Sequence, residues 1–587
     1  MSISQPTAPE REAGPSSAAS NGRPHSTWAS TSSRRARRPE KGTGPGRWTT
    51  LLAGPTLAFA LLQWMSSWGR LYPNVDTLAY LQSGESLLAG DGFARLGRPE
   101  LHFPPAVPVG LASLADLLGS ELAALRAWNV AWNLVVAVLV VALAHRFWGD
   151  RRRTVIAAWL AATAPGAAMI VKSGGASEAP ATAGLLLALV LVHPLLTRNN
   201  PARAWPLVGG AALACGFAYL CRPETLLGSL IIGAAVVGSA RYGADPAKRL
   251  GLAVRRGALF GLALVAVMAP YMSYLHTHTG SWSPTAKAQD VSMEAWRAVA
   301  DDDRLARDRV LYAIAPDGVS LGGPTTPLLQ LARDHPDEWL GIVGANVRRT
   351  SGILLVPGDQ GWQVIPAPLL AAAVAMLVAE RRRPGRLLLA TVAAAPLLTS
   401  LVFFSLPRYL YPLGVLAMVP AAGALDWVWR RWGRRAGQAA VGAAVVMSLA
   451  TGMTALNRAV PWSAQPLDAV AAAQWASQHL PTDARVMTRS YLVQHYVQRE
   501  VVALPSASSD ETLAFARRMG VTHLVLDDTL VERRRPELVS WLESDDPEGL
   551  RLVKRVDEHW GRGTVWALDP PPPPSDLPPL ALGYVSD

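Results

Sequence analysis

Long apolar windows without ionisable side chains recur along this chain and constrain its fold more than any other feature. Clear examples are 130–144, 179–192, 387–406 and 438–456. A helix needs about 20 mostly apolar residues to cross the hydrocarbon core of a bilayer. Although 587 residues would suffice for several soluble domains, the windows predict an all-α polytopic membrane bundle.

The apolar segments predict about eleven membrane-spanning helices. They cover 48–68, 123–146, 154–171, 179–196, 205–221, 223–240, 256–275, 362–379, 387–406, 409–428 and 437–456. Every second connection between them is rich in arginine, and such connections face the cytoplasm. The alternation predicts a multi-pass cell-membrane protein with a cytoplasmic N-terminus. The large loops, 69–122 and 276–361, and everything after the last span are then extracytoplasmic.

The two ends of the chain differ from the membrane region, 47–456, in composition. Residues 1–46 are rich in Ser, Pro, Gly and Arg and hold little to bury, which predicts a disordered basic tail. Retention in the cytoplasm explains its basic cluster, Arg34–Arg38, without a nucleic-acid partner. Residues 570–587 begin with a proline run and predict a second disordered tail.

Residues 457–569 have the composition of a soluble domain. Segments with helical spacing alternate with short segments typical of strands, which predicts a small α/β domain. The segments are 467–480, 484–487, 511–519, 521–526, 537–542, 550–556 and 564–568. No glycine-rich phosphate loop or catalytic triad stands among them, so a docking or lid role is the favoured interpretation.

Two clusters resemble functional sites but have simpler explanations. Cys215 and Cys221 fall in one apolar segment, six residues apart, and are expected to be buried core residues rather than a disulfide or metal pair. The acidic run Asp301–Asp303 lies in a segment with helical character, 293–311. Because successive residues of a helix point in different directions, a solvated helix face is favoured over a metal site.

Ionisable residues at span ends gather on the extracytoplasmic side of the predicted topology. They are Asp76, His102, Glu178, Arg222, Glu224 and Arg408. Any one of them could be an ordinary interfacial residue, because the membrane boundary is wet. Six on one side, none of them in a basic run, predict a shared polar cavity.

These residues carry a resemblance to the GT-C superfamily of integral-membrane glycosyltransferases. The nearest branch is the one with protein O-mannosyltransferases and bacterial aminoarabinose transferases. The resemblance covers 48–456. The matching features are Asp76 in the first external loop, the step Pro104-Pro105 before the second span, Glu178 entering the fourth span, the corner Arg222–Glu224, and Arg408 close to Pro412.

The resemblance implies an inverting transferase that uses a polyprenyl-phosphate-linked sugar as donor. The acceptor would be a lipid, glycan or protein outside a bacterial cytoplasmic membrane. Asp76 would be the general base, and Arg222, Arg408 and Lys287 would hold the donor phosphate. His102, Glu178 and Glu224 would complete the substrate-binding set. No cofactor is established, and a divalent metal is left open.

The chain departs from both of these subfamilies. His102-Phe103 stands where aminoarabinose transferases have Glu-Lys, and Thr77 stands where protein mannosyltransferases have a second acidic residue. His102 could take a metal, bind a sugar hydroxyl or orient its loop. The alternative function is a polyprenyl-lipid or glycolipid flippase. Most predicted spans lack charges at mid-membrane, and the polar residues gather on one side, which makes that alternative weaker.

Overall fold

The computed structural model describes most of the chain after its N-terminal tail. The described residues are 46–67, 73–95, 98–197, 204–242, 246–287, 297, 301, 303–315, 318–320, 328–356, 363–459, 467–558 and 561–575. The predicted disorder of 1–46 and 570–587 falls largely outside these ranges.

Helices dominate the membrane region and its loops. They are α1 Gly46–Ser67, α2 Val75–Ala89, α3 Ala106–Leu118, α4 Glu121–Trp148, α5 Arg151–Ala162, α6 Pro165–Ser173, α7 Glu178–Thr197, α8 Ala204–Cys221, α9 Leu226–Gly238, α10 Arg249–Thr279, α11 Arg304–Leu311, α12 Leu328–Asp334, α13 Pro336–Leu355, α14 Ala367–Ala379, α15 Pro384–Val402 and α16 Tyr411–Ala459. Two short hairpins lie in the loops, β1 Ala94–Arg95 with β2 Arg98–Pro99 and β3 Ala313–Ala315 with β4 Gly318–Ser320.

Eight helical stretches in the described part of the chain are long and apolar enough to cross a membrane. The fold is therefore a multi-pass helical bundle, as predicted. Two of the eleven predicted spans correspond to shorter apolar helices, 51–67 and 367–379. Two others, 409–428 and 437–456, lie largely within α16, which consists of two helical segments that meet at Gly433, where the backbone is not helical (φ 86°).

Helix α7 lies in the middle of the bundle, and its membrane window is 83% buried. Close packing against α8 depends on small residues: a Cβ on Gly184 would lie 2.7 Å from the Ala214 carbonyl oxygen. Cys215 and Cys221, both on α8, are buried and unpaired, as expected. Because α7 begins at Glu178, this central helix places the Glu178 carboxylate at one end of the bundle.

The first large loop folds into two short helices, α2 and α3. The side chain of Asn74 caps α2 by accepting a hydrogen bond from the Thr77 amide at 2.8 Å. Gly90 ends α2 in the left-handed conformation. Helix α3 crosses α2 so closely that a Cβ on Gly84 would lie 2.2 Å from the Pro108 carbonyl oxygen. The two helices are therefore closely packed.

The C-terminal α/β region, residues 467–568, is built on a five-stranded mixed sheet with strand order β6-β5-β7-β9-β8. Strand β5 is parallel to β6 and β7, whereas β9 is antiparallel to β7 and β8. Its elements are α17 Leu467–His479, β5 Arg485–Thr488, α18 Tyr491–Tyr496, β6 Glu500–Ala503, α19 Ser509–Arg518, β7 His523–Asp527, α20 Asp528–Arg534, α21 Val539–Glu543, β8 Leu550–Glu558 and β9 Gly561–Leu568. The predicted alternation of helices and strands is present. Strand β6 and the helices α18 and α20 were not predicted from the sequence.

Candidate functional site

All seven residues predicted for the site line a single cavity of about 470 Å³. They are Asp76, His102, Glu178, Arg222, Glu224, Lys287 and Arg408. They come from α2, the loop before α3, the start of α7, the α8–α9 corner, the loop after α10 and the turn before α16. The structure brings them together, and their chemical roles stay predictions.

Asp76 lies in the first turn of α2, and two hydrogen bonds fix that turn against the end of α6. Asn74 Nδ2 donates to the Ser173 carbonyl at 2.8 Å, and Thr77 Oγ1 donates to the Gly174 carbonyl at 2.9 Å. Asp76 is buried and forms an ion pair with Nη1 of Arg408. The carboxylate is therefore held at the cavity wall by a residue 332 positions away.

Glu178 and two arginines form the buried centre of the site. Arg222 Nη1 donates to Glu178 Oε1 at 2.6 Å, and Arg408 Nε lies 3.9 Å from the same oxygen. The other oxygen, Oε2, makes no hydrogen bond within the described residues. A Cβ on Gly175 would lie 2.6 Å from this oxygen, so glycine leaves it room. A charge network thus links Asp76 to Arg222 through Arg408 and Glu178.

A second acidic residue extends the network to Lys287. Glu224 Oε1 lies 3.1 Å from Lys287 Nζ, and its other oxygen lies 3.7 Å from Arg222 Nε. Lys287 Nζ also lies 5.5 Å from the ring centre of Phe103. A lysine from the second large loop therefore reaches the position that precedes the Pro-Pro step.

His102 lines the cavity from a loop organised by Glu100. This buried carboxylate accepts hydrogen bonds from the amides of His102 at 2.7 Å and Phe103 at 3.1 Å, and it pairs with Arg95 at 3.2 Å. The His102 ring stands edge-on to Phe103, with 4.7 Å between ring centres. Glu100 was not among the predicted residues, yet its contacts give the loop its shape.

Further polar residues, not predicted from the sequence, also line the cavity: Tyr80, Ser177, Thr285, Arg307 and Tyr409. Tyr80 Oη donates to Ser177 Oγ at 3.1 Å. Burial raises the pKa of Tyr80 well above its usual value of 10, and the charges of Asp76 and Glu178 raise it further. The phenol therefore stays neutral and able to donate. Its position one turn after Asp76 on α2 is the sequence signal that could have revealed it.

Tyr409 lies beside both arginines of the site. The Arg222 guanidinium is 4.8 Å from its ring centre, and that of Arg408 is 5.5 Å away. Such contacts hold guanidinium groups in place without neutralising them. The two arginines therefore keep their charge while their positions are fixed.

One wall of the cavity is apolar. Its residues come from α7, α9 and the α15 segment: Ala181, Leu185, Leu227, Gly228, Ala395, Leu398, Val402 and Phe403. Leu227, Leu398 and Phe403 are exposed side chains. The cavity therefore combines a charged side with an apolar side.

The described residues contain no group of three His, Cys, Asp or Glu side chains that could hold a metal ion. Each carboxylate of the cavity lies against a basic side chain instead. Among the described residues, the carboxylates of the cavity are arranged for ion pairs with basic side chains and do not form a metal centre.

Comparison with solved structures reveals the same fold in three membrane enzymes. ArnT from Cupriavidus metallidurans, bound to undecaprenyl phosphate, has a TM-score of 0.56 at 13% identity, over 91% of this chain and 100% of that one. The Archaeoglobus fulgidus oligosaccharyltransferase, in complex with Zn and sulfate, has 0.52 at 14%, over 82% and 68%. The arabinofuranosyltransferase AftD from Mycobacteria has 0.53 at 17%, over 89% of this chain and 40% of AftD.

The sequence itself matches no known protein family and no curated protein. At these identities the structural similarity concerns the fold. It confirms the multi-pass helical fold that the resemblance implied.

Proposed function

We propose, from the GT-C glycosyltransferase fold of this chain, that it transfers a sugar from a polyprenyl-phosphate-linked donor to an acceptor outside the cytoplasmic membrane. The observation that carries the proposal is one cavity with a buried carboxylate, several cations and an apolar wall. That combination suits a substrate with a reactive sugar, a phosphate and a long isoprenoid chain. ArnT, which has a similar fold, is bound to such a carrier, undecaprenyl phosphate.

In this reaction Asp76 acts as the general base. It accepts the proton of the acceptor hydroxyl as the oxygen attacks the anomeric carbon from the side opposite the phosphate. The carbon–oxygen bond to the phosphate breaks, the phosphate keeps the electron pair, and the configuration inverts. Because phosphate is a good leaving group, no general acid is required. A positioned base contributes about 10²- to 10⁴-fold to the rate.

Charge develops on the phosphate as it leaves, changing a singly charged diester into a doubly charged monoester. Arg222, Lys287 and Arg408 line the cavity and are positioned by carboxylates and Tyr409. Fixed cations of this kind stabilise charge that appears in the transition state. Lys287, which reaches over Phe103, supplies a lysine beside the Pro-Pro step from elsewhere in the chain.

The remaining predicted residues, His102, Glu178 and Glu224, complete the substrate-binding set. Glu178 and Glu224 hold the arginines and lysine in register, and His102 faces the cavity beside Phe103. The isoprenoid chain lies along the apolar wall of α7, α9 and α15. The arginine-rich connections at the other end of the predicted spans support an extracytoplasmic position of the cavity.

The proposal is tested with purified protein and radiolabelled donors. Polyprenyl-phosphate-linked mannose, glucose, galactose and arabinose are each offered with a membrane extract as acceptor. Label is expected to move with the wild type and with Asp91→Asn, a control at an exposed aspartate, but not with Asp76→Asn.

Normal transfer by Asp76→Asn would remove Asp76 as the base. If no donor were consumed and labelled polyprenyl phosphate instead crossed liposome bilayers, the transferase proposal would fall to the flippase alternative.

A further inference from the structure

Helix α11 connects the cavity with the C-terminal α/β region. Asp303 caps it by accepting a hydrogen bond from the Ala306 amide at 2.9 Å. Arg307 lines the cavity, whereas Asp308, the next residue, is fully buried against the C-terminal region. Neighbouring residues of a helix point in directions about 100° apart, so one short helix serves both sides.

Asp308 is held by three arginines of the C-terminal region. Arg489 Nε lies 3.1 Å from Oδ2, Arg535 Nη1 lies 2.9 Å from the same oxygen, and Arg534 Nη1 lies 3.3 Å from Oδ1. Burial acts to raise the pKa of Asp308, but the arginines, led by Arg489, lower it below its usual value. The carboxylate therefore stays charged and fixes the helix to the sheet.

Tyr312, one turn after Asp308, completes the attachment. Its ring centre lies 4.0 Å from the Arg489 guanidinium and 5.3 Å from that of Arg535. Its hydroxyl is 3.1 Å from the hydroxyl of Tyr491, and its carbonyl accepts a hydrogen bond from the Ser506 amide at 2.9 Å. The C-terminal end of α11 is thus part of the core of the α/β region.

The charges of the cavity indicate which group Arg307 faces. The ionisable side chains that line the cavity, besides His102 and Tyr residues, are the bases Arg222, Lys287, Arg307 and Arg408 and the acids Asp76, Glu178 and Glu224. Four positive and three negative charges leave one net positive charge. A phosphodiester carries one negative charge, so a single donor phosphate neutralises the cavity. Without Arg307, the charges of the side chains that line the cavity would sum to zero.

We propose that the C-terminal α/β region presents Arg307 to the phosphate of the lipid-linked donor, with Asp308 as the positioning residue that fixes α11. The inference rests on the proposed function and gives the C-terminal region a role in donor binding. Arg307 touches the phosphate itself. Asp308, Arg489 and Arg535 act through it.

The test measures binding of polyprenyl phosphate, without a sugar, to the full-length protein in detergent. Arg307→Gln is expected to weaken binding about 10- to 100-fold, the range of a charge-assisted hydrogen bond. Arg307→Lys should recover part of the loss. Arg309→Gln, an exposed arginine on the same helix, should bind as the wild type does. Polyprenol, which lacks the phosphate, should bind equally to wild type and Arg307→Gln.

The outcomes separate the two proposals. Failure of the wild type to bind polyprenyl phosphate would contradict the proposed function itself. Binding by the wild type and equally strong binding by Arg307→Gln would overturn only the further inference. A loss of polyprenol binding in Arg307→Gln would also overturn it, because the cavity would then have changed shape.

The positioning role has its own readout. Asp308→Asn is expected to weaken phosphate binding in the wild-type background and to add nothing in the Arg307→Gln background, because both changes remove the same interaction. Equal weakening in both backgrounds would overturn the positioning role. Since Arg307 lies outside the arginine cluster, the Arg307 variants test donor binding even if Asp308→Asn does not fold.

Discussion

Asp527 makes the stability of the C-terminal α/β region depend on pH in a calculable way. This residue ends β7, is 3% exposed, and caps α20 by accepting a hydrogen bond from the Leu530 amide at 2.7 Å. Burial, and then the charge of Asp468, raise the pKa of Asp527 from 3.8 to about 7. The folded carboxyl therefore binds its proton more tightly than the unfolded one.

The sign of the effect follows from this difference. The stability contributed by protonated Asp527 is fully present below about pH 4 and is lost as the pH rises through about 7. The difference of about three units between the folded and unfolded pKa corresponds to about 4 kcal/mol of folding free energy. About 2 kcal/mol of this is lost between pH 5.5 and pH 8. Asn keeps the cap and cannot ionise. Asp527→Asn should therefore stabilise the region by about 4 kcal/mol at pH 8 but only about 2 kcal/mol at pH 5.5.

Hydrogen exchange of the β7 amides in the full-length protein measures the effect. Rates are corrected for the intrinsic pH dependence of exchange and read as local opening free energies. Asp545→Asn, at an exposed surface carboxylate, is the matched control and should change little. Equal protection of wild type and Asp527→Asn at pH 8, or a larger gain at pH 5.5 than at pH 8, would refute the reasoning.

Three further predictions concern the cavity. Glu178→Gln leaves the buried Arg222 without its closest carboxylate and should cost about 3–5 kcal/mol, seen as a lower melting temperature in detergent; an unchanged melting temperature would contradict the buried pair. Gly84→Val places carbon atoms against the Pro108 carbonyl, so it should separate α2 from α3 and abolish transfer, whereas Gly209→Ala, with no atom within 4 Å of its Cβ, should be silent. Gly228→Trp fills space beside the apolar wall and should raise the donor KM about tenfold, which corresponds to about 1.4 kcal/mol of lost binding, with kcat retained; an unchanged KM would place the isoprenoid chain elsewhere.

Much of the membrane fold follows from the sequence because its cause is local. An apolar window needs no partner to be recognised, and arginine content assigns each connection to a side. The convergence of Asp76, Glu178 and Arg408 followed from the same two observations, since span ends on one side share one surface. Residue type and side sufficed to predict a common cavity.

The ion pairs within the cavity could not be predicted from the sequence, because they depend on how the helices pack. Glu178 could have met either arginine; the crossing of α7 with α8 gives it Arg222 at 2.6 Å and leaves Arg408 at 3.9 Å. Some short elements of the C-terminal region were not predicted, for a related reason. Strand β6 is four residues long, and such segments acquire their structure from neighbouring strands.

The position of Arg307 in the cavity could not be predicted from the sequence. The sequence predicts a helix for its segment, but a polar helix in a loop is expected to face the solvent. Only the structure reveals that Asp308 is enclosed by arginines whose nearest member lies 181 residues further along the chain. A carboxylate buried by one domain obliges its helical neighbour to face elsewhere, and here that direction is the cavity. Long-range ion pairing, rather than any motif, therefore selects the residue that reaches the site.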